Sequence, residues 1–216
     1  MSFQFIIYFA SITISFLSGL TVYFSRGAML YLKLFPGLLL GTLAVELTGY
    51  FLQRKGIHTA GIYNIFNIVS TSFYFFLLYE ILKSSATKKM IIWFALIFVI
   101  FALWNIFFWQ GMSDFDNITF ALGSLFIVGG CIAYFIEIFQ QPKAINLLSE
   151  PAFWICSGLI FFNTCLLPYF GLIHKVANLP LKDADKIFTA TNILNIFLYL
   201  IFSISFLCRV RIRKYT

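Results

Sequence analysis

Asn64-Ile-Phe-Asn67 and Asn192-Ile-Leu-Asn195 each set two carboxamides three residues apart inside otherwise apolar sequence. An amide in lipid is costly unless it faces protein or water. Residues three apart share a helix face, so each pair is expected to point one way. Glu46 stands with them as the deepest acid, with Thr42 and Tyr50 one turn away on either side. No Lys or Arg lies at comparable depth to pair with it. Such an acid must be neutralised, hydrogen-bonded to amides or opened to a watery pocket. Asn163, beside Thr164, falls near the middle of another apolar run. Amides and one carboxyl at this depth can hold a small polar or neutral solute, or couple its movement to a proton at Glu46. The same groups can also serve as interhelical hydrogen bonds that only hold a bundle together.

Other chemistry finds little support. No glycine-rich phosphate loop, HExxH or GxSxG occurs, and no nucleophile–base or metal constellation is visible, so neither an enzyme nor a cofactor is expected. Cys131, Cys156, Cys165 and Cys208 all lie in apolar stretches without a CxxC spacing and read as small buried hydrophobes. His58 and His174 sit at loop edges with no further ligand types near them, so no metal is expected. Asn105 shares its helix with Trp93, Trp104 and Trp109 and reads as packing. Glu80 and Glu137 read as interfacial and solvated, with Lys83 near enough to pair with Glu80. Asn117-Ile-Thr119 matches a glycosylation sequon but lies against the membrane.

The elements that must position these residues are membrane helices. Of 216 residues, 61% are hydrophobic, 20% aromatic and only 11% charged. Soluble domains average about a quarter charged residues, so this is an all-α, polytopic membrane protein whose first partner is the lipid bilayer. A span needs about 20 mostly apolar residues. Such runs occur near 3–24, 31–53, 59–82, 90–110, 117–140, 151–173 and 187–208, giving seven transmembrane helices in one domain, 1–216. The first run has no Lys or Arg before it and no convincing cleavage site, so it reads as a retained helix. Ser149-Glu150-Pro151 marks the start of the sixth helix, and Asp183 and Asp185 suit the positive end of the seventh.

Charge sets the expected direction. With the N-terminus outside, the inner segments carry Arg26, Lys33, Lys83, Lys88, Lys89, Lys143, Arg209, Arg211, Arg213 and Lys214. The outer loops carry only Arg54, Lys55, Lys175, Lys182 and Lys186. The positive-inside rule then favours N-out, C-in, with the chain in the inner (plasma) membrane of a bacterium and its C-terminus cytoplasmic. The net charge of +7 is a topology and headgroup feature rather than a nucleic-acid surface. In this orientation Glu46 and both asparagine pairs fall in the outer half of the bundle.

Helices five to seven echo helices one to three. Phe9-Ala10, Gly19 and Tyr23-Phe24 recur as Phe120-Ala121, Gly130 and Tyr134-Phe135, at a constant offset of 111. Pro36 is matched by Pro151, and Asn64 and Asn67 by Asn192 and Asn195. This reads as a parallel 3+1+3 repeat: repeat one 1–83, a linker helix 88–111 and repeat two 114–210. Parallel repeats occur in transporters.

This arrangement resembles the SWEET and PQ-loop transporters. The resemblance implies a substrate site that uses asparagines of the third and seventh helices, here Asn64 or Asn67 and Asn192 or Asn195. The Pro-Gln motifs of the PQ-loop proteins are absent, and helices one and five contain no proline. The segments Phe35-Pro36-Gly37-Leu38-Leu39-Leu40 and Ile62-Tyr63-Asn64-Ile65-Phe66 resemble free-standing seven-helix bacterial membrane proteins, akin to the membrane regions of sensor kinases. That second resemblance implies no assigned activity.

The expected site is therefore Glu46, Asn64, Asn67, Asn163, Asn192 and Asn195, binding or transporting a small polar or neutral solute. A ligand-sensing receptor that signals through a separate cytoplasmic or membrane partner is the first alternative. A structural or accessory subunit is the second.

Overall fold

The structure, a computed structural model, describes residues 3–24, 27–140, 146–171 and 181–212. Arg26, Lys143, His174, Lys175, Arg213 and Lys214 lie outside the described residues. The side chains of Lys182, Asp183, Asp185, Lys186, Arg209 and Arg211 lie outside the described side chains.

Seven helices account for the expected spans: α1 (Phe3–Leu20), α2 (Leu30–Arg54), α3 (Ala60–Ile81), α4 (Ser85–Phe108), α5 (Asn117–Phe139), α6 (Pro151–Gly171) and α7 (Leu181–Ile212). A 3-10 turn, Thr21–Phe24, extends α1. All seven helices are long and apolar enough to cross a membrane, and no strand occurs among the described residues. Only helices and closed barrels satisfy their backbone groups inside lipid, so the chain is an integral membrane bundle.

Two helices start earlier than hydropathy places them. α4 begins at Ser85 because its exposed N–H groups find acceptors. Ser84 Oγ accepts from Ala86 N at 3.3 Å. Glu137, reaching over from α5, accepts from the N–H of Lys83 at 2.7 Å and of Ser84 at 3.2 Å, and from the Thr87 hydroxyl. Glu137 is thus a clasp on the α3–α4 turn and not merely a solvated interfacial acid. Glu80 is exposed, and Lys83 lies beside Glu137. α7 begins at Leu181, ahead of its apolar run, because Lys182-Asp183-Ala184-Asp185-Lys186 can continue a helix out of the bilayer into water.

The helices form a closed ring. α1 packs on α2, α2 on α3, α3 on α5, α5 on α6, α6 on α7, and α7 returns to α1. α4 packs on α3 and α5, which also touch each other, so α4 lies outside the ring. Its Trp93, Ile100, Phe107 and Phe108 are exposed to lipid. Trp104 and Trp109 are exposed near its end, as an interfacial belt requires.

Lipid tails are as apolar as leucine, so close packing must hold the ring together. Phe35 on α2 is fully buried and makes edge contacts with Phe73, Phe202 and Phe206 at centroid distances of 5.3, 4.9 and 5.3 Å. At Gly130 on α5, a Cβ would stand 2.7 Å from Leu78 Cδ1 and 2.8 Å from Ile91 Cδ1. Glycine here lets the Leu78 and Ile91 side chains of α3 and α4 pack directly on the α5 backbone. The expected proline match is looser: Pro151 opens α6, whereas Pro36 lies inside α2.

Candidate functional site

The ring encloses a cavity of about 200 Å³ at the end of the bundle that carries the start of α1 and the α4–α5 turn. All six ring helices line it and α4 does not. Of the six residues expected from sequence, Glu46, Asn67, Asn163 and Asn195 line it together. Asn64 and Asn192 do not, so the two pairs divide alike. The inner-turn member of each pair faces the cavity and its partner turns aside. A three-residue step rotates a side chain by about 60° around the axis, enough to separate two walls.

Glu46 is held by two phenols. The Tyr8 hydroxyl on α1 donates to Oε1 at 2.8 Å, and the Tyr63 hydroxyl on α3 approaches Oε2 at 3.3 Å. Tyr199 on α7 continues this chain, with its ring 6.1 Å from that of Tyr8 and its hydroxyl in contact with those of Tyr8 and Thr42. Tyr63 reaches the acid by crossing Gly49, one turn above Glu46, where an added Cβ would overlap the Tyr63 hydroxyl. Of the flanking residues expected beside Glu46, Thr42 lines the cavity. Tyr50 turns away to stack on Phe5 at 4.7 Å and to sit under Arg54.

The amides are pinned by their own helices. Asn163 Nδ2 donates to the Leu159 carbonyl at 2.8 Å, and Asn195 Nδ2 to the Thr191 carbonyl at 3.0 Å. A carbonyl can be met only by the NH₂ end of an amide, so the oxygen end of each is left for other partners. Thr71 Oγ1 lies 3.4 Å from Asn67 Oδ1. Ser124 on α5 also lines the cavity; its Oγ is buried and meets no hydrogen-bond partner among the described residues. A buried hydroxyl without a partner costs free energy unless water or a ligand meets it.

Asn64 serves the same cavity from behind. Its Nδ2 donates to the Asp114 carbonyl at 2.9 Å, and its Oδ1 accepts from Asp116 N at 2.9 Å. The residue between these two anchors is Phe115, which lines the cavity. Asp116 caps α5 by accepting from Thr119 N at 3.0 Å. Asn105, fully buried, donates to Asp116 and to Gln110 Oε1 at 2.8 Å, and Gln110 Nε2 donates to Asn117 Oδ1 at 2.6 Å. Asn105 and the sequon residue Asn117 therefore belong to a polar knot that fixes the α4–α5 turn.

Tyr8, Tyr63, Tyr199 and Ser124 were not singled out from sequence. In a chain one-fifth aromatic, a functional tyrosine carries no local mark; only its proximity to Glu46 reveals it.

A second hollow of about 160 Å³ opens at the other end of the same helices, lined by Tyr31, Ile81, Lys83, Tyr134, Glu137 and Glu150 among others. Between the two lies a dry layer. Phe35, Leu78, Cys131, Ile155 and Cys156 each occupy the turn between a residue of one hollow and a residue of the other, and all are at most 1% exposed. No group of three or more His, Cys, Asp or Glu suited to a metal occurs among the described residues.

Comparison of the chain with protein-family models, with curated proteins and with solved structures finds no match.

Proposed function

We propose that this protein binds a small polar solute in the Glu46 cavity and passes it across the bilayer. The observation that carries this reading is the central cavity, in which one carboxyl, three amides and a serine without a partner among the described residues converge from the ring helices. Polar residues that serve only as interhelical glue would be expected to spend their hydrogen bonds on neighbouring helices. Here Asn163 and Asn195 bond within their own helices instead.

The second hollow and the dry layer favour transport over simple capture. A carrier needs a site with access from either end and a barrier that closes one end at a time. Asn67 and Asn195 on α3 and α7 then occupy the positions that the SWEET-type resemblance implies for substrate contact. The repeat fits this use, since a ring ordered α1, α2, α3, α5, α6, α7 maps onto itself when each half replaces the other. The orientation that fits the charge pattern opens the Glu46 cavity outward.

Reconstituted proteoliposomes test the proposal. Wild-type protein should take up at least one member of a panel of radiolabelled sugars, polyols, amino acids and amines, and Glu46→Gln and Asn195→Ala should each lower that uptake at least tenfold. Uptake of every solute at the rate of empty liposomes, or unchanged by both variants, would refute it.

A further inference from the structure

The lining of the Glu46 cavity has a one-sided chemistry. Among the described residues, Glu46 is the one Asp, Glu, Lys, Arg or His that lines it. Aromatic rings come from Tyr8, Tyr63, Phe66, Tyr74, Phe115, Phe120, Phe162 and Tyr199, on five of the six ring helices and the α4–α5 turn. Ring faces carry negative charge density and attract cations. The amides of Asn163 and Asn195 each spend one N–H on a carbonyl of their own helix, and the oxygen of each is an acceptor that can meet a ligand. A carboxylate offers about four acceptor sites, and Tyr8 and Tyr63 engage one at each oxygen. The Glu46 carboxyl oxygens, these amide oxygens and the ring faces thus all present negative charge density to the cavity. Among the described residues, an anion would meet no counter-charge here.

We infer that the solute taken by this cavity is a small organic cation, an alkyl- or arylammonium. Its charged nitrogen sits against Glu46 and the aromatic walls, and its apolar body against Leu38, Ile127, Leu159 and Leu198, which also line the cavity. The volume of about 200 Å³ falls below the roughly 300–1,000 Å³ of sites for drug-sized ligands, so the cation is small. This inference rests on the reading of the cavity as a solute site and narrows it to one class.

Charged and neutral twins test it. The full chain, purified in the non-ionic detergent dodecyl maltoside, is titrated calorimetrically with choline and its neutral isostere 3,3-dimethyl-1-butanol, and with benzylamine and benzyl alcohol. At least one cation should bind ten times or more tighter than its neutral twin. Glu46→Gln should abolish that preference. The wild-type comparison needs no variant, so a poorly folded Glu46→Gln leaves it decisive. Equal binding of cation and twin would overturn the cation assignment and leave a neutral-solute site standing. Binding of neither pair would also overturn it, and uptake of sugars or polyols in the proteoliposome panel would then show that the broader transport reading survives.

Discussion

Asn64 holds the backbone on both sides of Phe115. Its amide nitrogen donates to the Asp114 carbonyl and its oxygen accepts from Asp116 N, each at 2.9 Å. One side chain of α3 thereby fixes the turn that sets an aromatic wall of the cavity. Asn67, one turn further along α3, faces the cavity itself. The pair divides into a residue that lines the cavity and a residue that shapes its wall.

That division predicts different phenotypes. Asn64→Ala takes the partner from the Asp114 carbonyl and from the buried Asp116 N–H, and the buried N–H alone costs about 1–3 kcal/mol. It should lower the thermal midpoint of the purified protein by several degrees. Asn67→Ala should leave that midpoint nearly unchanged and reduce uptake. The reverse order of effects would contradict these roles.

Gly49 leaves room for the Tyr63 hydroxyl to reach Glu46. Gly49→Ala should push Tyr63 off the acid and lower uptake several-fold, as Tyr63→Phe should by deleting the hydroxyl. Because both changes remove the same contact, the double variant should be no worse than Tyr63→Phe alone. Independent, multiplying losses would show that Gly49 acts by another route.

Glu137 accepts two backbone N–H groups ahead of α4 and the Thr87 hydroxyl. Glu137→Ala should destabilise the bundle by about 1–2 kcal/mol, in the range of a lost helix cap. Hydrogen exchange should rise in the first turn of α4 and hardly elsewhere. Uniform exchange across the chain would argue against a local clasp.

Leu78 packs against Gly130 in the dry layer. Gly130→Val should overpack this contact and cost about 1–3 kcal/mol. Native Cys131 and Cys156, both fully buried in the same layer, should resist water-soluble maleimides in the folded protein. Rapid labelling of either thiol would mean that the layer is wet.

Much of this arrangement is legible in sequence, and the exceptions have physical causes. The seven spans follow from apolar runs of sufficient length. Glu46, Asn67, Asn163 and Asn195 stand out because polar groups are expensive in lipid. Asn64 and Asn67 could not be told apart, because the partner of Asn64 is a turn 50 residues away along the chain. The start of α4 was hidden for the same reason: its clasp, Glu137, comes from another helix, 54 residues from Lys83. Tyr8 and Tyr63 were lost among forty-odd other aromatics, since ring abundance masks the few whose hydroxyls meet an acid.

The central claim is that the space around Glu46 is a solvated solute site and not a dry seam. Ser124, whose hydroxyl has no protein partner among the described residues, offers the most direct probe. Ser124→Cys in a background lacking the four native cysteines, reconstituted in liposomes, is exposed to the impermeant cation 2-(trimethylammonium)ethyl methanethiosulfonate. Modification from the face that carries the N-terminus, with loss of uptake, is the predicted result. A thiol that stays unmodified from both faces would contradict the account and leave the polar layer as interhelical packing.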